Sequence, residues 1–270
     1  ADLPSAAAEQ TQIAIAEAPP PHPPLVRPTD ASDVANLLDV VNEMLARNAR
    51  APQTTRAAQH LAHWGIRPGE RGAFATLPKL QQAEWSATAL KVLSELRHGG
   101  FAAGGQKVAG WRYPPAGVGG AAASDEVRAM VALSGLGALE QQEATYIRCE
   151  EDETGAPLTG ASAYELTIPA AVPAAAFWSL TMYQIESDGR LFFVNNPLGR
   201  FALGDRTPAL VRRDDGSVRI LIRSSDPQDS GANWLPAPPG AFALVFRAYL
   251  PEKALLSGTW RLPAVKPARA

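Results

Sequence analysis

The sequence predicts a mainly β protein: an antiparallel, jelly-roll-like sandwich preceded by a small helical module, α+β overall. Three observations lead there. From about residue 105 onward, Gly and Pro punctuate the chain at short intervals, with β-rich runs between them. Between residues 32 and 104, apolar residues recur at helical spacing. Ahead of both lies a segment too rich in Ala and Pro to bury a core.

Residues 1–31 carry six prolines between Pro19 and Pro28 and no aromatic residue. Proline holds such a segment extended. It reads as an arm that offers itself to a partner chain or to a second copy of this one, with His22 simply solvated.

Residues 32–104 form the helical module. Ser32 or Asp33 serves as N-cap, and Val34, Leu37, Leu38, Val41 and Leu45 make one apolar stripe. A second helix runs through Ala57, Leu61 and Trp64 to stop at Gly65. Thr76 caps a third, weighted by Leu77, Leu80, Leu90, Leu93 and Leu96 and ended by Gly99-Gly100.

Residues 105–266 form the sandwich, and 267–270 are a tail. Strands are predicted over 144–150, 177–185, 217–223 and 242–250, with Asp188-Gly189 and Asp215-Gly216 as turn dipeptides. In the third of these, Val218, Ile220 and Ile222 share one face and Arg219 and Arg223 the other. Ser124 caps one embedded helix through Val127, Met130, Val131 and Leu133.

Composition excludes several functions. A net charge of -2 and a pI near 6.1 argue against a nucleic-acid or anionic-membrane partner, both of which need a cationic face. No apolar run is long enough to cross a membrane, so an integral membrane protein is not expected. The chain opens Ala1-Asp2-Leu3-Pro4, without Met, as a processed or truncated start would. A periplasmic or secreted location is the expectation, the cytosol the alternative.

Several strings resemble one bacterial family. They are Asn195 through Thr207 (NNPLGRFALGDRT), Ala232 through Pro238 (ANWLPAP) and Gly258 through Val265 (GTWRLPAV). Gly110 through Pro115 and the strand from Phe177 to Tyr183 match it as well. The family is domain of unknown function 1214, often found behind a second one numbered 1254. The resemblance covers roughly 105–266 and implies a jelly-roll-like sandwich behind a helical module, in proteins that are commonly exported. Residues 1–100 are too short and too helical to hold the usual partner β-domain. The family name carries no reaction.

Chemistry must be sought without histidine. The four histidines are His22, His60, His63 and His98, so the sandwich has no imidazole for a cupin-type metal site. His60 and His63 lie three apart on an expected helix but lack the spacing and Glu of a helical zinc motif. Glu150-Glu151-Asp152-Glu153 reads as a solvated hairpin turn rather than a calcium site. Cys149, beside these acids, has its thiol pKa raised and is structural. The glycine clusters at 99–105 and 117–120 match no dinucleotide or P-loop pattern. No metal, nucleotide or other cofactor is expected.

What remains is a polar set on the motif loops. Asn196, Arg200, Arg206 and Asn233, walled by Trp178, Tyr183 and Trp234, are the candidate ligand-binding residues. The competing reading is that the same residues close turns by bonding backbone groups. Asp205 and Asp226 are the candidate acid and base of an enzyme lacking histidine. The expected function is binding of a small apolar or sugar-like ligand at the loop end of the sandwich. The alternatives are a cofactor-free hydrolase or lyase using those two carboxylates, or a structural partner protein.

Overall fold

The computed structural model describes residues 33–48, 52–99, 105–120, 123–187, 189–229 and 233–268. The proline-rich arm with His22, Asp188 of the first turn dipeptide, and the side chain of His98 lie outside the described residues. The chain divides into two compact units between Lys91 and Val92.

In the first unit, α1 (Val34–Arg47) starts where Asp33 accepts a hydrogen bond from the Asn36 N–H at 3.1 Å. Its stripe buries Val34 and Leu38, and then a polar residue, Asn42. The Asn42 amide donates to the carbonyls of Gly65 (2.9 Å) and Glu70 (3.1 Å), and its oxygen accepts from the Arg67 N–H at 2.7 Å. One side chain thus ties the loop after Gly65 to α1.

Next, α2 (Pro52–His60) is followed by a 3₁₀ turn, Ala62–Trp64, ended by Gly65 at φ +85°. His60 and His63 therefore do not share one helix; their exposed rings meet edge to face at 6.4 Å. Two expectations fail after that. Thr76 is the last residue of α3 (Ala73–Thr76), its hydroxyl donating to Ala73 O, and does not cap α4 (Lys79–Gly99). Leu80 and Leu90 of α4 are exposed, at 71% and 48%. Trp85 packs on the small core of Leu38, Ala58, Ile66, Ala73 and Leu77 instead, its indole N–H bonded to Trp64 O at 2.9 Å.

The second unit is β-rich, with two mostly antiparallel sheets and few helices. It opens with β1 (Lys107–Val108) and β2 (Trp111–Arg112), joined by a tight turn at Ala109 and Gly110, φ +51° and +82°. A Cβ on Gly110 would lie 2.7 Å from Glu151 O, so glycine is required there. Helix α5 (Asp125–Ser134) begins with the Ser124 hydroxyl accepting from the Val127 N–H, as its sequence predicts.

Then come β3 (Ala144–Cys149), β4 (Tyr164–Ile168), β5 (Ala174–Ile185), β6 (Leu191–Phe192), β7 (Ala202–Gly204), β8 (Val218–Arg223), β9 (Asn233–Pro236) and β10 (Phe242–Pro251). Helix α6 (Lys253–Leu256) and β11 (Lys266–Pro267) close the chain. The larger sheet has the order β1-β2-β3-β10-β5-β6, with β7 also on β5; the smaller is β11-β4-β8-β9. The pair β8 and β9 is parallel, a departure from the all-antiparallel expectation.

One core joins the sheets. Ile147, Leu180, Leu244 and Phe246 of the larger sheet pack with Leu166, Ile168, Ile220 and Ile222 of the smaller. The C-terminal string is tied to β2 and the residue after it: Trp111 Nε1 donates to Pro263 O at 2.7 Å, and the Tyr113 hydroxyl accepts from the Leu262 N–H at 2.9 Å. No described helix is long and apolar enough to cross a membrane.

Candidate functional site

The motif residues sit mostly in fastenings. Asn196 ties its own loop: its oxygen accepts from the N–H groups of Leu198 (3.2 Å) and Arg200 (2.9 Å), and its amide donates to Arg200 O at 2.9 Å. Arg200 Nη1 donates to Trp234 O at 2.7 Å, and the Trp234 indole donates to Arg223 O at 2.9 Å. The buried Asn233 bonds Val211 N, Val211 O and Arg219 O at 2.8–2.9 Å. Trp178 lies in the core, stacked on Phe246 at 5.7 Å. Asp205 accepts from the Trp178 N–H at 3.1 Å, while the exposed Arg206 lies over the Phe177 ring at 4.1 Å. Asp226 accepts from the Gln228 N–H in its own turn, and no bond or cleft described here joins it to Asp205.

The acidic run is likewise a turn. Asp152 Oδ1 accepts from Thr154 N (2.8 Å), Thr154 Oγ1 (2.6 Å) and Ala156 N (3.1 Å). Burial pushes its carboxyl up, but these donors together outweigh that and hold it below the usual range. Glu150 pairs with Arg148 and Glu151 with Lys107. The Cys149 thiol is pushed up to about 12, chiefly by burial, with the charges of Glu150 and Glu151 adding to it. Its Sγ–H donates to Glu151 O at 3.1 Å.

Among the described residues, clefts open at three places on the second unit, and of the candidate residues only Asn196, Arg200 and Tyr183 line any of them. One of about 200 Å³ is lined by Asn196, Arg200, Phe201 and the prolines 236, 238 and 239. Another, of about 460 Å³, lies on the smaller sheet beside Glu165, Arg219, Arg223 and Asp229. There Glu165 pairs with Arg213 and Arg219, and Arg219 with Asp229, while Arg223 donates to the Ser225 hydroxyl.

The third and largest, about 540 Å³, covers the outer face of the larger sheet. Strand alternation builds its floor. Ile147, Cys149, Leu244 and Phe246 point to the core, which turns Tyr146, Arg148, Val245 and Arg247 outward. The register sets Arg247 opposite Tyr146 and Ser179, and Val245 opposite Arg148 and Thr181. Tyr183 of β5 adds a ring. The walls are the end of α5 with residues 135–138 on one side, and Gly189, Arg190 and β6 on the other. Trp178, Asp205, Arg206, Asp226, Asn233 and Trp234 line none of the three clefts.

Within this third cleft, Arg247 Nη1 donates to Thr181 Oγ1 and Nη2 to Tyr183 Oη, both at 2.9 Å. Tyr183 stacks on Phe193 at 4.9 Å, and Arg190 lies 5.1 Å from the Phe192 ring centre. Of these residues, only Tyr183 was singled out from the sequence. Alternation in 242–250 was the signal that points to Arg247, since the odd positions there oppose the apolar Leu244, Phe246 and Ala248.

Comparison with known proteins speaks to fold. No curated protein matches the chain. Among solved structures it is similar to the VPA0106 protein from Vibrio parahaemolyticus, at 22% identity and a TM-score of 0.57, over 86% of this chain and 55% of that one. An uncharacterized protein from Burkholderia cenocepacia matches at 16% identity and a TM-score of 0.36, over 79% of this chain and 48% of that one. The chain thus spans about half the length of these two structures. Residues 143–253, a narrower span than the motif strings cover, match the family described as protein of unknown function, DUF1214, and the strands that floor the large cleft lie within the matched residues.

Proposed function

We propose that the β-rich unit binds a small, largely apolar molecule on the outer face of its larger sheet. One observation carries this reading: a cleft of about 540 Å³ walled by Leu133, Leu136, Leu191, Phe192, Tyr146 and Tyr183. Ligand sites have volumes of ~300–1,000 Å³ and mainly apolar walls with a few polar groups. The cleft of about 200 Å³ beside Asn196 falls below that range, and the one of about 460 Å³ on the smaller sheet is walled by charged side chains of both signs rather than by apolar ones. The loop residues expected to hold a ligand bond backbone groups instead, which favours the sheet face over the loop end.

Exposed apolar rims support the same reading. Leu136 is 88% exposed between two glycines, and Phe192, which lines the same cleft, is 44% exposed. Exposed apolar side chains that cluster at one cleft, rather than scatter singly, mark a binding surface.

Nile red, an uncharged apolar dye, tests the proposal on the full chain. Its fluorescence should rise on binding, and Leu191→Asp should weaken binding by about tenfold, the effect of placing a charge against an apolar ligand. Leu80→Asp, on the exposed face of α4, is the control and should change nothing. Equal loss in both variants, or in neither, overturns the reading.

A further inference from the structure

We infer that the ligand of this cleft is an organic anion, an acid with an apolar body, whose charged group is held by Arg247. The inference rests on the cleft reading above and names its ligand class.

Charge accounting is the first support. Three arginines, Arg148, Arg190 and Arg247, line the cleft, and no acidic residue does. Arg148 is answered by Glu150 just beyond the lining. Arg247 forms no ion pair among the described residues; its acceptors are two neutral hydroxyls. A guanidinium in a half-buried position, without a carboxylate, keeps its full charge at the floor of an apolar cleft. An acid entering there gains a partner that water must otherwise supply.

Donor geometry is the second. The Tyr183 hydroxyl accepts from Arg247 and still has its own proton to give. Tyr183 lines the same cleft, so an anion at Arg247 meets a guanidinium and a phenol O–H together. The rings of Tyr146 and Tyr183 lie 5.9 and 5.7 Å from the Arg247 guanidinium, which orients it as well as shielding it from water. The C-terminal end of α5, at one wall, opposes an anion, but that influence fades within its last turn. A sugar, which brings no charge, would leave Arg247 unanswered.

The experiment displaces Nile red from the full chain with decanoate and, separately, with decanol. Decanoate should displace the dye at a concentration about tenfold lower than decanol, as one charge-assisted contact predicts. Arg247→Met keeps the apolar stem and removes the charge; it should bring the two ligands to within about twofold, with decanoate losing more than decanol. The preference should also shrink in the unaltered chain as NaCl rises from low to high concentration, with decanol insensitive. That salt series decides the matter even where Arg247→Met fails to fold. Equal displacement by decanoate and decanol, or a preference indifferent to both salt and Arg247, overturns the inference and leaves the apolar cleft standing. Displacement by neither ligand removes the cleft reading itself.

Discussion

Arg200 and Arg247 both donate to protein oxygens at hydrogen-bond distance, yet the two regions they serve differ in kind. Arg200 closes on the Trp234 carbonyl, inside a loop that Asn196 ties to itself. A carbonyl is an acceptor only, so that contact leaves no proton to offer a ligand. Arg247 closes on the hydroxyls of Thr181 and Tyr183 at the floor of an open cleft. A hydroxyl accepts and also donates, so that contact leaves both charge and donor on offer. Fastening and site are thus separated by what the arginine meets, and the separation can be broken or sharpened by measuring stability and binding apart.

The largest effect is on a thiol in the core, on one of the strands that floor the cleft. Cys149 is the sole cysteine, fully buried at the end of β3, with its pKa pushed up to about 12. Against an ordinary thiol near ~8.5, it is more than about a thousandfold less ionised at pH 8. Labelling by a disulfide reagent at pH 8 should therefore be slower than in denaturant by at least about that factor. Loop variants that weaken the fold should accelerate it, and Arg247→Met should not. Fast labelling of the unaltered chain would mean that the β3–β10 floor opens readily, and the two regions would no longer be separable.

Next in size is Asn233→Ala. Its amide satisfies three main-chain groups in a buried position, and removal leaves the Val211 N–H without its acceptor. The expected loss is about 3 kcal/mol, since each buried group left unpaired costs ~1–3 kcal/mol. Arg200→Gln should lose about 1.5 kcal/mol, the worth of one bond from a charged donor. Urea midpoints measure both. Where the variants remain folded, decanoate should bind as before. A variant that melts normally but loses ligand would put these loops back in the site.

These two regions also differ in how far the sequence reveals them. Asn196 bonds residues two and four positions away, so the whole device lies within one short string and can be seen as a string. Strand β8 was legible from alternation, β5 and β10 as β-rich runs between turn residues, and α5 from its Ser124 cap. The cleft was not, because Tyr146, Tyr183 and Arg247 come from three strands far apart in sequence. Only the order β3-β10-β5 puts them side by side. Alternation says which residues share a face, but not which strands are neighbours. Asn42 escaped for the opposite reason: it occupies a position on the buried face of α1, and its value lies in three groups 23–28 residues away.

The smallest effect concerns acid. Asp152 belongs with the fastenings: its carboxylate accepts from Thr154 and Ala156. Burial raises its pKa, the three donors lower it further, and the net direction is down. A folded value below the unfolded one, near ~3.9, means that the charged form stabilises the fold. That contribution is complete above the unfolded value and is lost as pH falls through the folded one. Asp152→Asn keeps an acceptor but removes the charge, so it should cost about 1 kcal/mol or less at pH 7. Its urea midpoint should then fall less steeply than that of the unaltered chain below about pH 4. Glu43 and Asp215 are also lowered, the first chiefly by Arg47 and the second by Ser217, and both remain in the variant. Only the difference between the two curves therefore reports Asp152. Parallel curves down to pH 2 would show that the turn holds without its charge, and that the fastenings on this side of the molecule are neutral ones.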